Sequence, residues 1–474
     1  MKINQLNFLI RLLFITCFLG CNNQSKSGDI KLGIKISIDY PSYWEYNGKP
    51  VLLLGGSDDD NLFQWTNEDL IPHLDEMKSV GANYVRNTMS DRKNSGFEVY
   101  PFEQLENGKY DLSRWNNEYW NRFASFLEET KKRDIIVQIE IWDRFDFSRE
   151  NWASNPYNPI NNINYDYSGS GFQKEYPLHP GTNRQPFFYT IPELNNIDVV
   201  LDYQEGFVNK MLSISLEYDH VIYCMDNETS GSEEWSKHWA VYLREKAGKK
   251  KIYLTEMWDA HDLSHNQHLR TFDHPEIYDF ADISQNSWNG NYKNWDEAQK
   301  VIDYLAKQPR PVNSVKIYGN DTSPSKIHKE RDIHTTHAVS CFFRNIIGGL
   351  ASSRFHRPPS GLGLSAVSKN CIRSVRMTED KLKLWEMKPQ LKILLECDEN
   401  EAYVSASPDQ NYLVYFPAEG SVLLDIQGNK GTYTLDYLDI ENARWKESVT
   451  YTGLDKLPVK SMYTAGALVI IKKK

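Results

Sequence analysis

Carboxylate and amide side chains follow several short apolar segments of this 474-residue sequence. Asn227 and Glu228 come directly after the apolar run 221–225, and Glu256 comes directly after the run 252–255. Breaking a glycosidic bond needs two such carboxyl groups, one to protonate the leaving oxygen and one to act as nucleophile or base. Neighbouring carboxyls also push one another's pKa values apart, so one of them can stay protonated near neutral pH.

Further polar and aromatic side chains at the ends of these apolar runs are candidates for substrate contact. Sugar rings stack on aromatic faces, and an arginine binds a carboxylate or sulfate through two parallel hydrogen bonds. For the tryptophans the alternative is packing, and for the His-Arg pair it is ion pairing with nearby acids. The candidates are Arg86, Asn227, Glu140, Trp142, Asp143, Trp258, Trp288, Tyr318, His356 and Arg357.

The apolar runs alternate with amphipathic segments along about 300 residues. This alternation predicts an α/β fold, a (β/α)₈ TIM barrel whose strands end at one active face. An open doubly wound sheet is the alternative, but no glycine-rich phosphate loop follows the first strand. The eight predicted strands are 51–54, 82–86, 135–139, 221–225, 252–255, 281–285, 315–318 and 351–355.

The segments between these strands predict helices and one long loop. We expect helices near 198–217, 233–247, 295–307 and 328–347, and Asp111 is the predicted cap of an earlier one. An irregular insertion at about 148–190 is rich in Asn, Pro, Tyr and Gly. Loops of this length usually carry function, and its aromatic residues place it on the substrate side.

The pattern changes after residue 400. Short strand-like runs at 403–406, 412–416, 422–426 and 432–437 are separated by turn residues, without helices between them. This spacing is typical of a small antiparallel β-sandwich. We therefore expect a catalytic barrel domain at 31–395 and a sandwich domain at 400–474.

The first 21 residues have the pattern of an export signal. A basic start precedes the apolar run 12–19, which is too short for a permanent membrane span. Gly20-Cys21 and a polar stretch follow, as in bacterial lipoprotein signals, although Leu19 departs from that pattern. We expect lipidation, including palmitate, at Cys21, a linker at 22–30, and a chain anchored in the bacterial envelope by lipid alone. A plain signal peptide or a poorly cleaved anchor is the alternative.

Bulk composition excludes some functions. The formal net charge of −10 argues against nucleic acid as a partner, because phosphate binding needs basic patches.

His334 and His337 have no carboxylate partner in register, so helix packing is favoured over a metal site, and we expect no metal or cofactor. Cys224, Cys341, Cys371 and Cys397 match no metal motif and are expected to be free thiols. We expect a monomer.

Asn227-Glu228 at the end of the fourth predicted strand resembles the Asn-Glu pair of clan A glycoside hydrolases. That resemblance implies Glu228 as general acid/base and Asn227 as the contact to the sugar 2-hydroxyl. Arg86 is similar to the arginine that these enzymes keep at the end of strand two. The nucleophilic Glu that they place at the end of strand seven is missing from Lys316-Ile317-Tyr318-Gly319-Asn320-Asp321.

A wider resemblance covers most of the chain after the signal. The segments 313–319, 344–349 and 354–358, with the tail 403–445, resemble an apiosidase-like group of exported bacterial barrel proteins. Their C-terminal sandwich is commonly called a collagen-binding domain, although it mostly accompanies hydrolase-like barrels. This resemblance adds an extracellular carbohydrate as the expected ligand.

Three explanations for the missing nucleophile remain open. Glu256 is favoured as the second carboxylate, because neighbouring strand tips approach the short spacing that retention needs. Glu140 or the Asp58–Asp60 cluster are alternatives, or the barrel binds glycan without cutting it. The sequence therefore predicts a glycoside hydrolase that degrades an extracellular poly- or oligosaccharide. A non-catalytic surface glycan-binding lipoprotein is the main alternative, and collagen adhesion through the sandwich is a weaker one.

Overall fold

A computed structural model describes residues 32–93, 95–182, 185–426 and 428–474. The signal, Cys21 and the linker fall outside these residues. None of the helices in the described ranges is long and apolar enough to cross a bilayer. The α-helices are α1 (Asn67–Ser79), α2 (Asn117–Lys132), α3 (Arg149–Ser154), α4 (Tyr167–Ser170), α5 (Asp198–Ser215), α6 (Glu233–Ala247), α7 (Asn266–Phe272), α8 (Asn291–Leu305), α9 (Lys326–Glu330), α10 (Thr335–Ile347) and α11 (Ala366–Glu379).

Strands β1 to β13 precede the C-terminal region, and β14 to β23 belong to it. The strands are β1 (Lys35–Ile36), β2 (Trp44–Tyr46), β3 (Lys49–Val51), β4 (Leu53–Gly56), β5 (Tyr84–Thr88), β6 (Phe102–Gln104), β7 (Tyr110–Trp115), β8 (Ile136–Asp143), β9 (Val221–Asn227), β10 (Leu254–Thr255), β11 (Ala281–Asp282), β12 (Val312–Asn313), β13 (Ser352–Phe355), β14 (Lys388–Pro389), β15 (Leu394–Leu395), β16 (Tyr403–Ala406), β17 (Tyr412–Phe416), β18 (Gly420–Asp425), β19 (Thr432–Asp439), β20 (Arg444–Trp445), β21 (Val449–Thr452), β22 (Lys456–Ser461) and β23 (Ala467–Lys473).

Eight strands form the parallel core: β4, β5, β8, β9, β10, β11, β12 and β13. Seven of them overlap predicted strands, whereas β12 lies three residues before the predicted strand 315–318. They pair in parallel in three groups, β5-β8-β9-β10, β11-β12 and β13-β4. Further backbone hydrogen bonds link one group to the next, for example from Asn83 N to Leu54 O at 2.9 Å and from Ile317 N to Arg354 O at 3.0 Å. The predicted α/β fold with successive parallel strands is confirmed.

Burial explains why these apolar runs form strands. All eight residues of β8 and all seven of β9 are buried, as expected for parallel strands covered on both faces. Helix α2 begins later than predicted, because the Asn116 side chain caps it by accepting from Glu118 N. The prediction for Asp111 is wrong, since this residue lies in β7 and its carboxylate bonds Ser113. The predicted helix 328–347 is interrupted between α9 and α10.

The C-terminal region consists of antiparallel strands in two sheets, as predicted. One has the order β14-β16-β17-β23-β19-β20 with β21 beside β19, and the other has the order β15-β18-β22. Helix α10 packs against the first sheet, where the Phe343 and Tyr415 rings stack at 5.0 Å. Tyr403 of this sheet also meets Trp295 of α8, at 4.9 Å. The two regions therefore share an aromatic contact surface.

Candidate active site

Glu228 comes directly after β9, at the carboxyl end of the parallel strands. Its backbone φ is 47°, in the left-handed region that costs a residue with a side chain about 1 kcal/mol or more. Such conformations persist where the surroundings enforce them, and they occur often at functional sites. The Glu228 side chain keeps 13% of its surface exposed, so a ligand has access to it.

Three donors converge on Glu228 Oε1. The Lys316 ammonium lies 2.5 Å away, the Tyr318 hydroxyl 2.5 Å away and the Gln285 amide 2.7 Å away. Burial alone would raise the pKa of Glu228, but the charge of Lys316 and these hydrogen bonds outweigh it and hold the pKa well below its ordinary range. Glu228 is therefore ionised at neutral pH, which suits a base or nucleophile.

Arg86 connects the strand ends around Glu228. Its Nη2 donates to Asn227 Oδ1 at 2.9 Å, and its Nε lies 2.7 Å from both Glu140 oxygens. Its Nη1 pairs with Asp60 Oδ1 at 2.6 Å. All four side chains are buried. The structure thus brings the predicted residues Arg86, Glu140 and Asn227 together beside Glu228.

The segment after β12 supplies a cation to this site. Lys316 Nζ also donates to Asn227 Oδ1 at 3.0 Å, and its side chain is only 3% exposed. Asp321, the acid further along the same segment, is 69% exposed and lies near His334. The nucleophile that the clan A resemblance places on strand seven therefore has no counterpart there, in agreement with the sequence.

Asp259 is an acid in the irregular segment after β10, beside the chain that follows Glu228. Its backbone N–H donates to Thr229 O at 2.9 Å, which places Asp259 beside the residue that follows Glu228. Burial and the negative charge of Glu228 raise the pKa of Asp259 to about 7, although Lys316 opposes the rise. Opposite pKa shifts in two neighbouring acids are typical of sites that use one carboxyl group as an acid and the other as a base.

The long insertion reaches these two acids. Ser230 Oγ donates to Gly181 O at 2.7 Å, just beyond Glu228 along the chain. A Cβ placed on Gly181 would lie 3.5 Å from Asp259 Oδ2, which shows how closely the insertion approaches this carboxyl group. His179 lies beside Gly181, with its Nδ1 accepting from Gly181 N at 3.1 Å. This position agrees with the expectation that the insertion lies on the substrate side.

Glu256 has a different environment. It is 0% exposed, and its Oε1 accepts from the backbone N–H groups of Asp226 at 3.0 Å and Met257 at 2.8 Å. Burial and the nearby Asp226 raise the pKa of Glu256 well above its ordinary range, and burial raises the pKa of Asp226 to about 6. The role of Glu256 as second carboxylate stays a prediction, but a fully covered carboxyl is not placed to meet a sugar.

The buried pair Asp226 and Glu256 is expected to make stability depend on pH. Because folding raises both carboxyl pKa values, the pair's stabilising contribution is full below about pH 4 and is lost as pH rises through about 6 and above. Glu256→Gln removes one ionisable group and keeps an acceptor for the two backbone donors. We expect its melting temperature to exceed that of the parent by about 3 °C or more at pH 8, and by less at pH 5.

Thermal melts at the two pH values test this expectation. Glu245→Gln is the matched control, because Glu245 is exposed on α6. This control should melt like the parent at both pH values. Equal shifts of the Glu256 variant at pH 5 and pH 8 would contradict the expectation.

Two of the three candidate tryptophans are covered by protein. Trp142 is 2% exposed, because it packs against Phe187 at 5.4 Å and Trp239 at 5.2 Å. Trp258 is 1% exposed, and its indole N–H donates to Thr271 Oγ1 at 2.7 Å. Their placement differs from that of a sugar platform and fits the packing alternative.

Trp288 lies at the edge of the site and keeps part of its ring exposed. It packs at 4.8 Å against Tyr318, the residue that donates to Glu228. His261 stacks on Trp288 at 5.0 Å, and Arg331 lies over the ring at 5.5 Å. Of the three predicted platforms, Trp288 is the one placed beside the carboxylates.

The remaining candidates lie against charged side chains. Asp143 binds Arg92 at 2.8 Å and is 2% exposed. His356 Nδ1 lies 3.5 Å from Asp60, and burial lowers the pKa of His356 so far that the ring is neutral. Arg357 Nε pairs with Asp60 at 2.8 Å. The His-Arg pair therefore follows the alternative of pairing with a nearby acid.

No group of three or more His, Cys, Asp or Glu side chains within the described ranges is placed to hold a metal ion. His337 Nε2 lies 2.7 Å from Ser287 O, and His334 lies near Asp321 at 3.8 Å. The structure pairs none of the four cysteines that it describes, which agrees with the prediction of free thiols: Cys224, Cys341, Cys371 and Cys397.

Sequence reasoning did not single out Lys316, Gln285 and Asp259. Each lies at or just beyond a predicted strand, so its position alone would have allowed it to be included among the candidate site residues. A lysine next to a strand end among several acids signals a counter-ion, and this is the sequence feature that could have identified Lys316. Asp259 is one of the strand-five tip residues, but nothing in the sequence ranks it above Glu256.

No family model matches the sequence, and no curated protein is similar to it. Solved structures do resemble the fold. A glycoside hydrolase of family 5 from Bacteroides vulgatus ATCC 8482 is 12% identical with a TM-score of 0.61, and the match covers 93% of each chain. Another structure, described as a glycoside hydrolase, is 10% identical with a TM-score of 0.61, over 94% of this chain and 97% of that one.

An α-amylase from H. orenii is 12% identical with a TM-score of 0.50, and the match covers 89% of this chain and 98% of that one. At these identities the similarity concerns the fold alone. The matches to the first two structures extend over nearly all of both chains, so they include the C-terminal sheets as well as the parallel strands. The chain therefore has a glycoside hydrolase-like, TIM-barrel-like fold with an antiparallel C-terminal region.

Proposed function

We propose that this chain is a glycoside hydrolase built on a closed (β/α)₈ barrel, and that it cleaves an extracellular poly- or oligosaccharide. The observation that supports this most is the pair Glu228 and Asp259, whose pKa values are shifted in opposite directions. The pair lies at the carboxyl end of the parallel strands, where barrel enzymes keep their active sites. The similar solved structures support the same class of protein.

In the proposed reaction Asp259 is the general acid. It gives its proton to the glycosidic oxygen as the bond from that oxygen to the anomeric carbon breaks. Glu228 is the ionised partner, which either attacks the anomeric carbon or takes a proton from the attacking water. The sequence assigned the acid/base role to Glu228 and the second carboxylate to Glu256, whereas burial and charge favour this reversed arrangement.

Neighbouring side chains would hold the sugar and keep Glu228 charged. Asn227, whose Oδ1 accepts from Arg86 and Lys316, would contact the sugar 2-hydroxyl, as the resemblance to clan A enzymes implies. The exposed part of Trp288, beside Tyr318, would contact the sugar at the edge of the site. Lys316 prevents Glu228 from taking up a proton before the substrate arrives.

One observation favours a second function, a surface glycan-binding lipoprotein without activity. The close ion pair of Glu228 with Lys316 takes the place of the carboxylate pair that retaining clan A enzymes form with strand seven. If this pair persisted with substrate bound, Glu228 would position sugar without reacting.

We also propose that the chain works as a lipid-anchored monomer in the bacterial envelope, through Cys21. The sequence pattern of residues 1–21 supports this anchoring, which places the site outside the cytoplasm.

Product analysis distinguishes hydrolysis from binding. The full chain after Cys21 is incubated with neutral and acidic polysaccharides and with aryl glycosides, and new reducing ends are measured. Proton NMR of the first product then gives its anomeric configuration, which decides whether Glu228 acts as nucleophile or base. We expect cleavage of at least one substrate. Binding without any product would support the glycan-binding alternative instead.

A further inference from the structure

A cavity of about 880 Å³ lies where the parallel strands meet the C-terminal sheets. It opens beside Val312, the first residue of β12, whereas Glu228 follows the last residue of β9. Because these strands are parallel, the cavity and Glu228 lie at opposite ends of them. Its walls come from the β1–β2 loop, the end of α8, the segment 385–389 and the β16–β17 turn. We call it the junction cavity.

Aromatic rings from both regions line the junction cavity. Tyr40 and Trp385 have ring centroids 6.5 Å apart and planes tilted by 58°, and each ring is partly exposed. Tyr43 lines the cavity and is 5% exposed, so most of its ring is already covered by the protein. Two tilted, partly exposed rings form a stepped apolar surface of the kind on which successive sugar units stack.

Hydrogen-bonding groups accompany these rings. Glu386 Oε1 accepts from the Tyr40 hydroxyl at 2.8 Å and from Lys383 at 3.0 Å, so the carboxylate and the Tyr40 ring are held in place. Arg310 also lines the junction cavity and is 95% buried, being 5% exposed. Its Nη2 donates to two backbone carbonyls, but its Nε has no hydrogen-bond partner among the described residues. Arg310 therefore brings a fixed positive charge to the cavity wall, while its Nε is covered by protein.

The charges around the junction cavity select the class of ligand. Four carboxylates line it against the cations Arg310 and Lys388, and Lys383 pairs with Glu386, so a small excess of negative charge remains that disfavours an anionic polymer. Carboxylates accept hydrogen bonds from sugar hydroxyls. The volume lies within the range of small-molecule sites, about 300–1,000 Å³. The carboxylates are Asp39, Asp303, Glu386 and Asp409.

We infer that the junction cavity is a second carbohydrate site, which binds a neutral oligosaccharide segment and takes no part in bond cleavage. Trp385 and Tyr40 stack on the sugar rings, and Glu386 accepts hydrogen bonds from their hydroxyls. Such a site would bind one part of a polysaccharide chain at the junction cavity while another part of the same chain occupies the Glu228 site at the opposite end of the strands. The inference does not require the chain to be a hydrolase, because binding is measured without cleavage.

Affinity electrophoresis tests this site in the full chain. A Glu228→Gln background prevents cleavage, and native gels contain a neutral β-glucan, mannan, galactan, arabinan or xylan, or the anionic polygalacturonate. Ala306→Trp would fill the junction cavity from an exposed position on its wall. Lys307→Trp is the matched control, because Lys307 is exposed next to Ala306 but does not line the junction cavity. Trp385→Ala removes a stacking face without adding bulk.

We expect at least one neutral polysaccharide to retard the background chain. Ala306→Trp and Trp385→Ala should each raise the apparent Kd for it about tenfold, while Lys307→Trp leaves it unchanged and all melting temperatures stay close. The inference is overturned if no neutral polysaccharide retards the chain, if Ala306→Trp behaves like Lys307→Trp, or if only polygalacturonate binding changes. Failure of the hydrolase proposal would instead appear as missing products from the unmodified chain.

Discussion

Glu228→Gln is expected to lower kcat/KM by at least about 10³-fold on any substrate that the unmodified chain cleaves. A neutral amide can neither attack the anomeric carbon nor take a proton from water. The amide oxygen can still accept hydrogen bonds from Tyr318 and Gln285, so we expect the side chain to keep its position. Initial rates of reducing-end release measure the effect, and the loss should appear in kcat because the sugar contacts of Asn227 and Trp288 remain.

Folding must be followed in the same experiment. The substitution removes the charged partner of Lys316, and breaking a buried ion pair can cost about 3–5 kcal/mol. Lys316 keeps its contact to Asn227 at 3.0 Å, so we expect a lower melting temperature but a folded chain. Glu234→Gln is the matched control: Glu234 is exposed at the start of α6, and its variant should keep full activity. A Glu228 variant with more than about a tenth of parental kcat/KM would exclude Glu228 from the chemistry.

The elements that hold this site are largely predictable because their signals are local. The predicted helix 233–247 has the same bounds as α6, since Ser232 caps its start and Gly248 follows its end. Strands β16 and β17 likewise have the predicted bounds. Strand β9 begins at the predicted residue and places Asn227 and Glu228 at the expected end of the core. In each of these elements a single local feature, either a hydrophobic periodicity or an apolar run, is enough to predict the type of element.

Which of two acids faces the site is not a local property. The β10 pairing ends at Thr255, and the chain beyond it carries Glu256 toward the backbone N–H groups of Asp226 and Met257. Asp259, three residues further along, lies beside Thr229 and meets the insertion. Regular strand alternation does not extend through this irregular segment. The sequence could therefore locate the strand-five tip but could not rank its two acids.

The same limit applies to Trp142 and Lys316. Phe187 of the insertion packs on Trp142, and no short-range pattern in the sequence predicts this contact. Lys316 lies in the seventh predicted strand run, but the pairing of β12 occurs three residues earlier, at Val312–Asn313. Its contact with Glu228 depends on where two distant segments meet. Tertiary contacts of this kind decide the charge state of the site.

Asp259→Asn is expected to lower kcat/KM by different factors on substrates with different leaving groups. A sugar leaving group must be protonated as it departs, so kcat/KM on oligosaccharides should fall by about 10²–10⁴-fold. A dinitrophenyl group leaves as a stable anion, so the rate on a dinitrophenyl glycoside of the same sugar should change by less than about tenfold. Loss of sugar binding would reduce both rates equally. The ratio of the two rates therefore measures proton donation by Asp259 and is not affected by a role of this residue in binding.

The pH profile gives a second, independent readout of Asp259. Since its pKa is raised to about 7, the protonated acid is present below that pH, and activity on oligosaccharides should fall as pH rises through about 7. This fall should be absent from the residual activity of Asp259→Asn. Asp262→Asn, an exposed change nearby in the same loop, should keep the parental profile and rates. Glu256→Gln, measured in the same experiment, should also keep the parental profile and rates. If instead Glu256→Gln lowered kcat/KM on oligosaccharides alone and Asp259→Asn had no effect, Glu256 would be the acid.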